Sequence, residues 1–105
     1  MNQYGFHPEA SLEFTGAIDF YAKINPGLAE AFISEVEEAI SVIRQSPERW
    51  RAVDGEVRRS LVDRFPYGLY YTFSDHFVTI WAVMHLSREP RYWEERMGKS
   101  FRSRS

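Results

Sequence analysis

Cysteine is absent from the 105 residues of this chain, so neither a disulfide framework nor a thiolate metal site can form. Lysine is nearly absent too: Lys23 and Lys99 are the only two, against eleven arginines. The three histidines, His7, His76 and His85, fall in separate segments without ligand spacing, which leaves no metal site to expect. There is no glycine-rich phosphate loop and no nucleophile–base pair, so no small-molecule cofactor is expected either. No apolar run approaches a membrane span, and the polar start of the chain lacks the basic-then-apolar pattern of a secretory leader. These absences point to a cytoplasmic protein with no membrane attachment.

What is present suits one globular domain. Apolar residues make up 44% and aromatic residues 16%, so the core draws more on Phe, Tyr and Trp than on Val and Ile. A net charge of −2 hides a segregation. Residues 1–43 carry one cation and seven acids, a balance of −6, while residues 44–105 carry twelve cations and eight acids, a balance of +4. All the arginines lie in that second segment. GC-rich coding can account for arginine in place of lysine, but not for its placement. Arginine's planar fork suits recognition of phosphate or carboxylate.

Patterning divides residues 1–97 into a β-α-α-β-β-β-α order, followed by a polar tail over 98–105. Gln3–His7 reads as a short strand closed by Pro8, which opens a helix over about 8–24 with Phe14, Ala17, Ile18 and Tyr21 on one face. Asn25-Pro26 both ends that helix and caps the next, so the two form a tight hairpin. Ala29, Phe32, Ile33, Val36, Ile40 and Ile43 supply the second stripe, and Ser46-Pro47 stops it. Glu48–Glu56 reads as a loop plugged by Trp50. Val57–Asp63, Gly68–Phe73 and Phe77–Met84 read as strands, the first an edge strand guarded by charge and the last a buried one with Trp81 in the core. Tyr67, Tyr70 and Tyr71 read as packing residues. Pro90 opens a short last helix that must dock to persist. The expected fold is a two-layer α+β domain with the helical hairpin on a mainly antiparallel four-stranded sheet.

Three stretches, FYAKINPGLAEAFISEVEEAISVI, VRRSLVDRFPYGLYY and AVMHLSREPRYWEER, together resemble the RelE/ParE superfamily of toxins across residues 3–97. The resemblance implies a protein that halts growth when free of a cognate antitoxin. RelE-like members cut mRNA on the ribosome; ParE-like members share the fold and act on DNA gyrase. Cleavage would need a proton taken from the 2′-OH, a stabilised phosphate and a proton for the 5′-oxygen. Arg88 matches the arginine that RelE-like toxins place after the last strand, Tyr92 falls near their C-terminal tyrosine, and His85 is placed to move a proton. Each has an ordinary reading as well: His85 bonding a nearby loop, Arg88 pairing with Glu89, Glu94 or an antitoxin carboxylate. Arg58, Arg59, Arg64, Arg91 and Trp93 are candidates for contact with RNA or a target protein. Arg58 and Arg59 point to opposite faces of one strand, and Arg64 fits a turn.

The departures favour the ParE side. Gly68 stands where RelE-like toxins carry a strand arginine, Arg51–Glu56 lacks their lysines, and the pI is near 5.9. The expectation is a ParE-like toxin without chemistry of its own, with a RelE-like ribonuclease or a decayed toxin kept as a binding module as the alternatives. An antitoxin covering Arg88, Trp93 and the last helix with apolar and acidic side chains would bind less tightly as salt rises; salt-independent affinity would contradict this.

Overall fold

The computed structural model describes residues 1–88 and 94–97. Its elements are β1 (Gln3–Phe6), α1 (Pro8–Ile24), α2 (Pro26–Gln45), β2 (Ala52–Asp54), β3 (Val57–Leu61), β4 (Tyr67–Ser74), β5 (Phe77–His85) and α3 (Glu94–Met97). The tail over 98–105 and the expected helix start at Pro90 lie outside the described residues. No helix among them is long and apolar enough to cross a membrane.

The helical hairpin forms as the caps dictate. Pro8 and Pro26 occupy first-turn positions, where a missing N–H costs nothing. Asn25 serves both helices: its backbone N–H donates to Tyr21 O at 2.9 Å, and its Oδ1 accepts from Gly27 N at 2.7 Å. At the other end of α1 the cap is His7, whose Nδ1 accepts from Glu9 N at 3.1 Å. Histidine is not among the usual capping residues, so this cap has no sequence signature.

The sheet has five strands rather than four, in the order β1-β5-β4-β3-β2, with β1 parallel to β5 and every other pair antiparallel. The extra strand is β2, inside the expected loop over 48–56. Gly55 turns the chain at φ 57° so that Ala52 and Asp54 pair with Arg58 and Val57. Three residues are too few to show a period of two. β3 is therefore an inner strand, and its charges guard no edge.

The two faces of the sheet are unequal. On the helix side Phe32, Val36, Ile40 and Ile43 of α2 pack with Leu69, Tyr71, Val78, Ile80 and Val83. Across the other face lies a smaller cluster of Val57, Tyr70, Ala82 and Met84, with Trp81 and Met97 of α3 against it. A register shift between Tyr70 and Tyr71 leaves Tyr70 opposite Ala82 and Tyr71 opposite Ile80, so Trp81 faces no partner. This bulge reverses the parity of β5. Val78 and Ile80 face the helices before it, and Val83 does after it. Trp81 is consequently half-buried on the outer face, its Nε1 donating to Thr72 Oγ1 at 2.9 Å, and not a residue of the main core.

Tyr71 is fully buried and donates to Pro47 O at 2.5 Å, anchoring the end of α2 to the sheet. Burial pushes its phenol up to about 12 from the ordinary 10.0, with Arg58 opposing and Glu48 adding to the shift. Because the folded-state value lies above the unfolded one, the neutral phenol's contribution to stability is fully present below pH 10 and is lost as pH rises toward 12. Tyr71→Phe should cost about 1 kcal/mol at neutral pH, from the unpaired Pro47 carbonyl. In denaturant titrations that deficit should shrink across the alkaline window. A deficit constant with pH would contradict the assignment.

Candidate partner-binding site at the end of β5

β1 covers the edge of β5 only as far as Ile80. Phe6 pairs with Ile80, His7 N donates to Ile80 O at 2.8 Å, and the chain then turns into α1. On that side the backbone of residues 81–83 is left without a neighbouring strand, and a buried polar backbone group must find a partner. Two side chains supply it. Glu13 Oε1 accepts from Val83 N at 2.9 Å, and Arg96 Nη1 donates to Trp81 O at 2.7 Å. The pair closes on itself through Arg96 Nη2 to Glu13 Oε2 at 2.6 Å and Nη1 to Oε1 at 3.1 Å, a two-pronged bond. Their side chains keep only 9% and 17% exposure, and Glu9 lies further out at 3.7 Å from Arg96. Thus α3 is held to the sheet by one guanidinium as well as by Met97.

Beyond this clamp a groove of about 340 Å³ runs between α1 and the end of β5. Glu13, Gly16, Ala17 and Phe20 line one side; Tyr67, Val83, His85 and Arg88 line the other. The parity change at the bulge is what turns His85 toward the helices, where its ring meets Tyr67 edge-on at 5.2 Å. Its Nδ1 accepts from Ser87 N at 3.1 Å and lies 2.8 Å from Ser87 Oγ. That bonding assigns the proton of the neutral ring to Nε2. Leu86 N donates to Pro66 O at 2.9 Å and Arg88 N to His85 O at 3.0 Å, which fixes the turn carrying Arg88. Burial and the nearby Tyr21 phenol raise Tyr67 above the ordinary tyrosine value, partly offset by the Arg88 guanidinium, and burial raises Tyr21 too. Both phenols are therefore hydrogen-bonding groups at neutral pH and not bases. Along the outside of α1, Leu12, Phe20 and Ile24 are 69%, 58% and 61% exposed, an apolar ridge beside the groove.

The remaining sequence candidates do not converge here. Arg58 turns under the loop before β2, donating to Trp50 O and, at 3.3 Å, to Glu48 O, with its guanidinium 5.4 Å from the Phe73 ring centre. Arg59 lies on the outer face, its stem 3.3 Å from where a Cβ on Gly68 would sit. An arginine thus crosses the place of the missing strand arginine, arriving from the neighbouring strand. Arg64, at φ 71°, holds a turn and reaches Glu35 of α2 at 3.6 Å. Arg91, Tyr92 and Trp93 lie outside the described residues. Among the described residues no three His, Asp or Glu side chains cluster to hold a metal. Glu13 and Arg96 were not singled out by sequence reasoning. A signal for Glu13 exists: it falls between Ala10 and Ala17, both buried, on the inward side of α1.

A family model described as the ParE toxin of the type II toxin–antitoxin system parDE matches residues 4–90. No curated protein matches the chain. Among solved structures it is similar to a chain of the chromosomal ParDE TA system from P. aeruginosa, with 15% identity, a TM-score of 0.72, and coverage of 83% of this chain and 98% of the other. At that identity the likeness speaks for the fold.

Proposed function

The chain belongs to the ParE toxin family of type II toxin–antitoxin systems, and from that membership we propose that it arrests growth by binding a target protein such as DNA gyrase, without chemistry of its own. The observation that carries this reading is the dispersal of the candidate cations among the described residues. Arg58 serves a loop, Arg59 the outer face, Arg64 a turn and Arg88 the groove beside α1. A phosphodiester at the groove would meet Arg88 and His85, but Arg59 lies across the sheet from them. The Nδ1 of His85 is already committed to Ser87. Electrostatic stabilisation needs its donors aimed at one place.

The family implies an antitoxin partner. Its place in this reading is the groove over Tyr67, His85 and Arg88 together with the ridge of Leu12, Phe20 and Ile24. Apolar and acidic side chains on a segment that folds as it binds would match both. The protein would work in the cytoplasm and carry no cofactor.

The test is induction of this protein without antitoxin, followed over minutes by growth, primer extension on cellular mRNA and supercoiling by purified gyrase. Arrest with intact transcripts and inhibited supercoiling is the expected result. Discrete cuts within translated codons, lost in Arg88→Ala, would instead make it a ribosome-dependent ribonuclease. Normal growth would leave a binding module that has lost its toxicity.

A further inference from the structure

A second groove, also of about 340 Å³, lies on the opposite flank of the molecule between α2 and β3. Glu35, Glu38, Arg49, Trp50, Ser60 and Asp63 line it. The Ser60 side chain is buried, at 2% exposure, and its hydroxyl has no hydrogen-bond partner among the described residues. Leaving a buried hydroxyl unpaired is unfavourable, and such groups in native proteins call for an explanation. Glu38 and Asp63 likewise make no ion pair among the described residues. A buried hydroxyl and two carboxylates therefore line one concavity, with Trp50 beside them.

We propose that this groove binds an arginine side chain presented by a partner protein. A guanidinium offers five donors in a plane and an apolar face, whereas an ammonium is a compact, strongly hydrated charge. Here three acceptor side chains, Glu38, Asp63 and Ser60, line one groove, which suits a fork with several donors. The chain's own arginines already engage two of these residues. Arg49 sits 5.3 Å from the Trp50 ring centre, and Arg64 reaches Glu35 at 3.6 Å. They leave Glu38, Asp63 and Ser60 for an incoming fork. Glu35, Glu38 and Asp63 against Arg49 leave the lining net acidic, which attracts such a cation. The proposal stands apart from the toxin reading, and either can fail alone.

The test uses the full chain, ¹H–¹⁵N spectra and N-acetyl-arginine amide as the probe, with the Trp50 indole signal identified by Trp50→Phe. A saturable shift of that signal and of the Ser60 amide is expected, in about the millimolar range for a single side chain. The Glu38→Gln/Asp63→Asn protein should bind about tenfold more weakly, and the uncharged citrulline amide should leave both signals in place. Ser60→Ala should weaken binding while leaving the thermal midpoint unchanged or raised, because no hydrogen bond is lost within the fold and an unpaired buried hydroxyl is removed. A lowered midpoint with unchanged binding would make Ser60 structural and overturn its role. An equal response to citrulline, or unchanged affinity in the double variant, would overturn the site. Spermidine binding as tightly as the arginine probe would assign the groove to free polyamines and overturn the protein partner.

Discussion

Glu13→Ala is expected to lose about 3 kcal/mol of folding stability, a large effect for a residue on the surface-facing helix of a small domain. The change takes from Arg96, 9% exposed, the carboxylate that meets it with two bonds, and it removes the acceptor of Val83 N–H. Each of those costs is a desolvation left uncompensated, which is why breaking one half of a buried pair outweighs the pair's net worth. At about 4–8 °C per kcal/mol, the thermal midpoint should fall by at least about 12 °C. Adding Arg96→Met to the same protein removes the buried charge while keeping an apolar stem, and should restore much of the loss. Chemical denaturation of the two single variants and the double variant measures the coupling directly. A loss below about 1 kcal/mol in Glu13→Ala, or no recovery in the double variant, would mean that the clamp does not hold α3 to the sheet.

Phe32→Ala should be the most damaging single truncation, at about 4 kcal/mol. The ring is fully buried and lies between four others, with centroid distances of 5.9 Å to Phe14, 5.2 Å to Tyr21 and 5.1 Å to both Phe65 and Tyr67. Those residues come from α1, from the turn before β4 and from β4 itself, so the void would open where three parts of the fold meet. A loss of this size approaches the whole stability of a typical domain, about 5–15 kcal/mol. Near-UV circular dichroism should collapse at temperatures where the parent is folded. Phe20→Ala serves as the control: that ring is 58% exposed, and its removal should change stability by no more than about 0.5 kcal/mol. Similar losses from the two substitutions would refute the picture of a core centred on Phe32.

The parts of this molecule that were readable in the sequence are those fixed by neighbours in the chain. Pro8 and Asn25-Pro26 set the helix starts through local geometry, and the observed limits of α1 and the hairpin follow. β2 escaped because three residues cannot display alternation. Trp81 was misplaced because a bulge, which no periodicity reveals, reverses the parity of β5 midway. The clamp was unreadable for a different reason: Glu13 and Arg96 stand 83 positions apart, and only the early departure of β1 from the edge of β5 gives them a task. The opposite facing of Arg58 and Arg59 was legible from the alternation of strand side chains, but not the loop carbonyls that Arg58 serves.

The parallel pairing of β1 with β5 has a consequence for synthesis. Gln3–Phe6 leave the ribosome well before their partners, Phe77–Ile80, which lie 74 positions further along the chain. Until those partners arrive the first strand has nothing to pair with, the helical hairpin has only part of its sheet to cover, and the groove beside Tyr67 lacks its far wall. Long-range closures of this kind are the slow steps in folding, and unpaired edges are what chaperones and binding partners meet first. A chain abandoned before residue 77 could not assemble the surface that bears His85 and Arg88. The wall of the groove formed by Tyr67, Val83 and His85 is therefore put in place only after the helix that faces it.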